Sequence, residues 1–197
     1  MALDPPSLAT MRVLRAHAYS MDSICTAPDG RLVTSASDGL WRVLSLGGGV
    51  VEAEVAHDAH AVYATCALTD GSNRVVTGCS DAVARLYDMS GVRGGAQLAP
   101  IREYRGHTRG VVVVAALSGG RLATASMDDT VRVWDVESGA CLATLSDGVK
   151  CAASAVVMMD EHTMVCNAGS DAIGVWDLRS YTPVSYTHLT LPTNREV

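Results

Sequence analysis

The chain has 197 residues, 48% of them apolar, and a formal net charge of −6 with no long basic run. That length supports one substantial core, and the acidic balance excludes a surface built to neutralise a phosphate backbone, so nucleic acid is not an expected partner. Val, Ala, Gly, Ser and Thr outweigh helix-favouring residues, and short Val-rich runs punctuated by Gly and Asp predict many short strands and an all-β class.

Taken in chain order, residues 1–10 read as a flexible N-terminus. Asp4, Pro5 and Pro6 stand where a secretory signal needs an unbroken apolar stretch. No segment reaches the ~18 apolar residues of a membrane span, so no membrane association is expected. Six cysteines (Cys25, Cys66, Cys79, Cys141, Cys151 and Cys166) never fall in a C-x-x-C spacing, and most sit in apolar runs. They read as reduced core thiols of an intracellular protein, cytoplasmic or nuclear.

From Met11 onward the chain repeats itself. Thr34-Ser-Ala-Ser-Asp38-Gly-Leu-Trp-Arg-Val-Leu44-Ser45 aligns without a gap with Thr77-Gly-Cys-Ser-Asp81-Ala-Val-Ala-Arg-Leu-Tyr87-Asp88 and with Thr124-Ala-Ser-Met-Asp128-Asp-Thr-Val-Arg-Val-Trp134-Asp135. Upstream, each copy carries a histidine 14 residues before a shared arginine: His17 and Arg31, His60 and Arg74, His107 and Arg121. A fourth copy, from about Gly148 to Asp177, ends Ala168-Gly-Ser-Asp171-Ala-Ile-Gly-Val-Trp176-Asp177 and lacks the histidine. Within the third copy, Val111 to Leu117 predicts strand a, the run ending Leu122-Ala-Thr124 strand b, Thr130 to Trp134 strand c, and Cys141 to Leu145 strand d. Asp29-Gly30 and Ser118-Gly-Gly120 supply a-to-b turns. Gly47-Gly-Gly49 and Gly94-Gly95 lack the Lys-Ser/Thr of a phosphate loop and read as c-to-d connections.

Copies starting 43 (17 to 60) and 47 (60 to 107) residues apart and ending in Trp-Asp have the length of one four-stranded propeller blade. In these residues the chain resembles the WD-repeat (β-transducin-like) family, over about residues 11 to 183. The resemblance implies a partial β-propeller of about four four-stranded antiparallel blades, at about 11–55, 56–104, 105–146 and 147–183. It also implies a hydrogen-bonded chain in each blade, from the histidine before strand a to the hydroxyl of strand b and the tryptophan of strand c, with the b–c turn aspartate bracing the histidine. Carried over, the complete set is His107, Thr124, Asp128 and Trp134. The second copy offers His60, Thr77, Asp81 and Tyr87, a phenol replacing the indole. The first has His17, Thr34 and Asp38 with Leu44 in the aromatic's place, and the fourth only Asp171 and Trp176. A His-Asp-Ser/Thr arrangement can also mark a hydrolase, but repetition in every blade makes these residues structural. No catalytic residue, cofactor or metal is expected. His57, Asp58 and His60 come nearest to a metal site, yet His60 belongs to the repeat and His57 reads as a loop residue.

The positions that family members use for partners are those just after the repeat histidine, here Tyr19, Met21, Tyr63 and Arg109, and the one before the turn aspartate, here Ser37, Ser80 and Met127. Tyr, Met and Arg suit interfaces because they join apolar area to a polar or adaptable tip. The expected function is a scaffold or adaptor that binds other proteins or peptides. A narrower alternative rests on Trp176-Asp177-Leu178-Arg179, which is similar to the W-D-x-R element of cullin-RING ubiquitin ligase substrate receptors, where the arginine contacts the ligase's adaptor. A propeller enzyme or small-molecule binder would need one cluster of acids or metal ligands, and none is visible, so no small-molecule substrate is expected. Arg102, Arg105 and Arg109, interrupted by Glu103, read as a solvated loop.

From Val184 the chain fits no strand. Val184-Ser-Tyr-Thr-His-Leu-Thr-Leu-Pro-Thr-Asn-Arg-Glu-Val197 resembles the translated read-through of a transposon-end sequencing adaptor, so 184–197 are expected to be non-native. Members of the family usually close with seven blades, and Met11 to Arg15 has the position of a closing strand d. With its partner strands absent, unpaired edges and self-association are expected.

Overall fold

The computed structural model describes residues 15–46, 50–57, 60–92, 98–146, 155–167 and 173–184. Asp58, Asp171, Cys151, the runs Gly47–Gly49 and Gly94–Gly95, Met11 to Leu14 of the expected closing strand, and the tail from Ser185 lie outside them.

Short β-favouring runs separated by Asp- and Gly-based turns give sixteen strands in the described residues, arranged as four four-stranded antiparallel sheets of consecutive strands. The first sheet is β1 (Met21–Thr26), β2 (Leu32–Ala36), β3 (Leu40–Ser45) and β4 (Val50–Ala56). The second is β5 (Val62–Ala67), β6 (Arg74–Cys79), β7 (Val83–Asp88) and β8 (Arg102–Arg105). The third is β9 (Val111–Leu117), β10 (Arg121–Ser126), β11 (Val131–Asp135) and β12 (Cys141–Leu145). The fourth is β13 (Val156–Met158), β14 (Thr163–Asn167), β15 (Ile173–Asp177) and β16 (Thr182–Pro183). The first strands β1, β5, β9 and β13 lie side by side, so the sheets succeed one another as blades of a partial propeller.

The core lies between sheets, because each strand alternates its side chains toward the preceding and the following blade. Trp41, Val43 and Val55 meet Val62, Val75, Tyr87 and Met89 between the first two blades. Leu86 and Tyr104 meet Val114, Leu122 and Trp134 between the second and third. Val131, Val133 and Leu145 meet Met164, Trp176 and Leu178 between the third and fourth. Each of these large side chains contributes roughly 1.5–3 kcal/mol by leaving water.

The b–c turn has one design in three blades. The aspartate accepts from the amide two residues on: Leu40 N to Asp38 Oδ1 3.0 Å, Val83 N to Asp81 Oδ1 3.1 Å, and Thr130 N to Asp128 Oδ1 3.0 Å. The residue between is left-handed, at φ 79° in Gly39, 67° in Ala82 and 63° in Asp129. Asp suits the first position because its short carboxylate reaches its own downstream backbone.

The shared arginine also has a common task, that of clasping the next blade. Arg31 donates to the Met89 carbonyl at 2.9 Å and the Val92 carbonyl at 3.1 Å, Arg74 pairs with Glu137 at 2.7 Å, and Arg121 donates to the Leu178 carbonyl at 3.0 Å. The fourth blade has Thr163 at this place in the register, opposite Asp177.

Of the five described cysteines none forms a disulfide; Cys79 and Cys166 are buried, Cys25 and Cys66 half-buried, and Cys141 exposed, outside the core expected for these thiols. Burial pushes the Cys79 thiol up to about 11. Among the described residues no helix is long and apolar enough to cross a membrane.

Candidate interaction face and the networks beneath it

In the third blade four side chains form one continuous chain. Trp134 Nε1 donates to Thr124 Oγ1 at 2.8 Å, His107 Nε2 lies 2.8 Å from the same hydroxyl, and His107 Nδ1 lies 2.8 Å from Asp128 Oδ2. One proton arrangement satisfies every member: the indole donates to the hydroxyl, the hydroxyl to Nε2, and Nδ1–H to the carboxylate. Burial lowers the His107 pKa, which keeps the imidazole neutral despite the opposing pull of Asp128. For Asp128 burial acts upward, but bonds from the Thr130 hydroxyl, the Thr108 amide and His107 overcome it and carry the carboxyl down to about 2.

Both groups bind protons more readily in the unfolded chain, so each contributes stability that is lost in acid. The His107 share falls away as pH drops below the ordinary histidine value of 6.5, and the Asp128 share as pH falls from 3.8 toward about 2. Denaturant midpoints measured from about pH 7 to about pH 3 should therefore decline throughout. A midpoint that rises on acidification contradicts this assignment.

The first blade has the histidine half of the chain. His17 Nε2 lies 2.8 Å from Thr34 Oγ1 and Nδ1 3.1 Å from Asp38 Oδ2, and Leu44 is buried where the indole would be. Arg42, on β3, donates to the Ala16 carbonyl at 2.8 Å and reaches Asp38 at 3.3 Å and Glu54 at 2.7 Å.

The second blade departs from expectation. His60 is exposed and makes no bond to Thr77 or Tyr87; the Tyr87 hydroxyl instead lies 3.0 Å from Nε2 of buried His57. Thr77 Oγ1 is buried without a hydrogen-bond partner of good geometry, and Asp81 turns to Arg85 at 2.6 Å. The register gives the reason. The a–b turn holds three residues in the first and third blades, Pro28 to Gly30 and Ser118 to Gly120, but five in the second, Thr69 to Asn73. Equal His-to-Arg spacing therefore places His60 two residues too close to strand a, at the position of Tyr19 and Arg109. His57 falls at the position of Gly106, where a Cβ would sit 3.3 Å from Trp134 and 2.9 Å from the Arg132 guanidinium. With Tyr87 in place of that indole the space is open to a side chain, and the phenol, whose oxygen is at the tip of the ring, reaches past Thr77 to the imidazole.

In the fourth blade Trp176 is buried, but the register opposite Gly174 puts Cys166 where Thr124 stands in the third, and Trp176 Nε1 has no hydrogen-bond partner of good geometry. Asp171 lies outside the described residues.

Above these networks the loop entering strand a is tied to the b–c turn in each of three blades. Ser37 N donates to Ser20 O at 3.2 Å, Ser80 N to Ala61 O at 2.9 Å, and Met127 N to Gly110 O at 3.0 Å. These ties hold Tyr19, His60 and Arg109 at equivalent exposed positions, beside Ser37, Ser80 and Met127. Arg109 Nη1 donates to the Met127 carbonyl at 2.9 Å, and Ser37 Oγ to Asp22 at 2.7 Å. Tyr63 is half-buried, its ring 3.2 Å from the place of a Cβ on Gly110. Met21 is exposed, but its equivalents Val62 and Val111 are fully buried against the preceding blade, so Met21 belongs to the end face of the stack. Arg179 is exposed at the opposite side of its blade, two residues beyond Trp176-Asp177's last strand position, with its guanidinium paired to Asp177 at 2.7 Å. Among the described residues no group of three His, Cys, Asp or Glu side chains could hold a metal.

The WD domain, G-beta repeat family matches residues 8–44 and 98–135. The chain thus carries WD repeats at these two places, within a series of four successive four-stranded blades. The chain is also similar to the DENN domain and WD repeat-containing protein SCD1 of Arabidopsis thaliana, 37% identical over 84 residues, which are 41% of this chain and 7% of that protein. The matched stretch is thus a small part of a much longer relative. Repeats of this kind act in general as protein-interaction platforms.

Proposed function

We propose that the chain is a scaffold or adaptor that binds proteins or peptides through the rim where Tyr19, His60 and Arg109 project beside Ser37, Ser80 and Met127, and so serves the assembly of a multiprotein complex. The observation that carries this reading is the exposure of Tyr19, a large aromatic side chain 73% accessible on a loop tied by its neighbour's backbone to the b–c turn. A rigid aromatic with a polar tip binds at small entropic cost, and the arginine and imidazole beside it add directional donors. The ligase-receptor alternative rests on Arg179 alone, whose guanidinium is already paired with Asp177.

The test is affinity capture with the whole chain against a variant carrying Tyr19→Ala, His60→Ala and Arg109→Ala, with Arg179→Ala as a second variant. Loss of the captured proteins in the triple variant and their retention in Arg179→Ala is the expected outcome. Retention in the triple variant refutes the rim, and selective loss of a cullin-RING adaptor in Arg179→Ala supports the alternative in its place.

A further inference from the structure

At two of the three seams between the four blades a side chain ties successive a–b turns together. At the first seam Asn73 Nδ2 donates to Asp29 Oδ2 at 2.6 Å, and at the third Ser118 Oγ donates to the Glu161 carbonyl at 2.8 Å. At the second seam no hydrogen bond joins the two turns among the described residues. The residue before the shared arginine, Asn73 in the second blade, is Gly120 in the third, and a Cβ at Gly120 would meet no atom within 4 Å. Facing it stands the longer turn of residues 69–73. Between the two turns lies a cavity of about 280 Å³, floored by Leu68, Ala116, Leu117 and Val136. It opens at the a–b ends of the strands, whereas the rim is carried by the b–c turns at their other ends.

We propose that this cavity is a second docking site, which takes one neutral aliphatic side chain of about leucine size from an extended peptide segment of a partner protein. Its volume falls below the ~300–1,000 Å³ of small-molecule sites and suits a single large side chain. Charge complementarity selects a neutral one. The two charged side chains on the cavity's edge are already engaged, Asp70 with Arg74 at 2.6 Å and Arg121 with the Ser118 and Leu178 carbonyls at 3.0 Å each. An ionic group entering here would lose its water without gaining a free counter-charge. An aliphatic group instead extends the core between the second and third blades, to which Leu68 and Val136 belong. One wall is the backbone of Gly119 and Gly120, at φ 70° and 68°, and without side chains it lets a peptide main chain come close. A single anchor residue seated in a pocket of this kind is how interfaces concentrate their binding energy.

Methyl-resolved carbon-13 spectra of the whole chain, titrated with N-acetyl-leucine amide, test the site, with N-acetyl-alanine amide and N-acetyl-lysine amide as controls. The leucine amide should move the methyl signals of Leu68, Leu117 and Val136 and saturate in the millimolar range. The alanine amide should bind at least about tenfold more weakly, because it lacks the carbons that would be buried, and the lysine amide likewise, because its ammonium meets no free acid. Thr69→Trp and Gly120→Asn lie on the two exposed turns, and asparagine tolerates the left-handed backbone of Gly120. Each should close the mouth and abolish the shifts while the melting midpoint stays near that of the wild type. Unmoved methyl signals, an equal response to the alanine or lysine amide, or shifts that persist in either folded variant overturn the proposal.

Discussion

Replacing Thr124 by valine should destabilise the protein by about 2 to 6 kcal/mol, whereas the same replacement at Thr77 should be close to neutral. The two threonines occupy equivalent places on β10 and β6 and both are fully buried. Thr124 Oγ1 accepts from Trp134 and faces His107 Nε2, so valine leaves two buried groups without partners, each costing roughly 1–3 kcal/mol. Thr77 Oγ1 has no hydrogen-bond partner of good geometry, only looser interactions with the Tyr87 phenol and the Cys79 thiol, so an apolar isostere gives up little. Denaturant midpoints of the two variants measure the difference directly. Equal losses at both positions would mean that the second blade holds a chain like that of the third.

Trp134→Ala should cost about 3 to 5 kcal/mol, lowering the melting midpoint by roughly 10 °C for a chain of this size. Trp134 is 2% exposed and packs between blades, its ring 5.7 Å from that of Tyr104 and beneath the Arg132 guanidinium. Its removal opens a cavity between the second and third blades and takes from the Thr124 hydroxyl its indole donor, leaving the bond to His107 in place. Trp134→Phe separates the two effects, because it keeps most of the volume and gives up the N–H. A small loss in phenylalanine and a large one in alanine assigns the cost to packing.

How much of this was legible in the sequence depends on whether the determinant is local. The Asp38, Asp81 and Asp128 turns were, because an aspartate bonding its own downstream amide needs no distant partner. Strands β9 and β12 coincide with the expected Val111 to Leu117 and Cys141 to Leu145, since alternation and flanking turns define them. The second blade's histidine was not legible by spacing, as the 14 residues from His60 to Arg74 sum a strand and a turn, and a longer turn is hidden by a later start of the strand. The five-residue Thr69-Asp-Gly-Ser-Asn73 turn was the available signal. It would also have placed His60 on the rim. His57 could be recognised only through its neighbour, because its place opens when a tyrosine replaces the tryptophan that crowds Gly106. Met21 is exposed while its equivalents Val62 and Val111 are buried between blades, a difference that residue type does not encode.

The account turns on a buried, neutral imidazole linking strand b to the b–c turn of the third blade. Nitrogen-15 spectra of the His107 ring test it most directly. They should show Nδ1 protonated, Nε2 unprotonated and the ring still neutral below the ordinary histidine value, with the Trp134 indole proton slow to exchange. An Nε2–H tautomer titrating at the ordinary value, beside a rapidly exchanging indole proton, would contradict it.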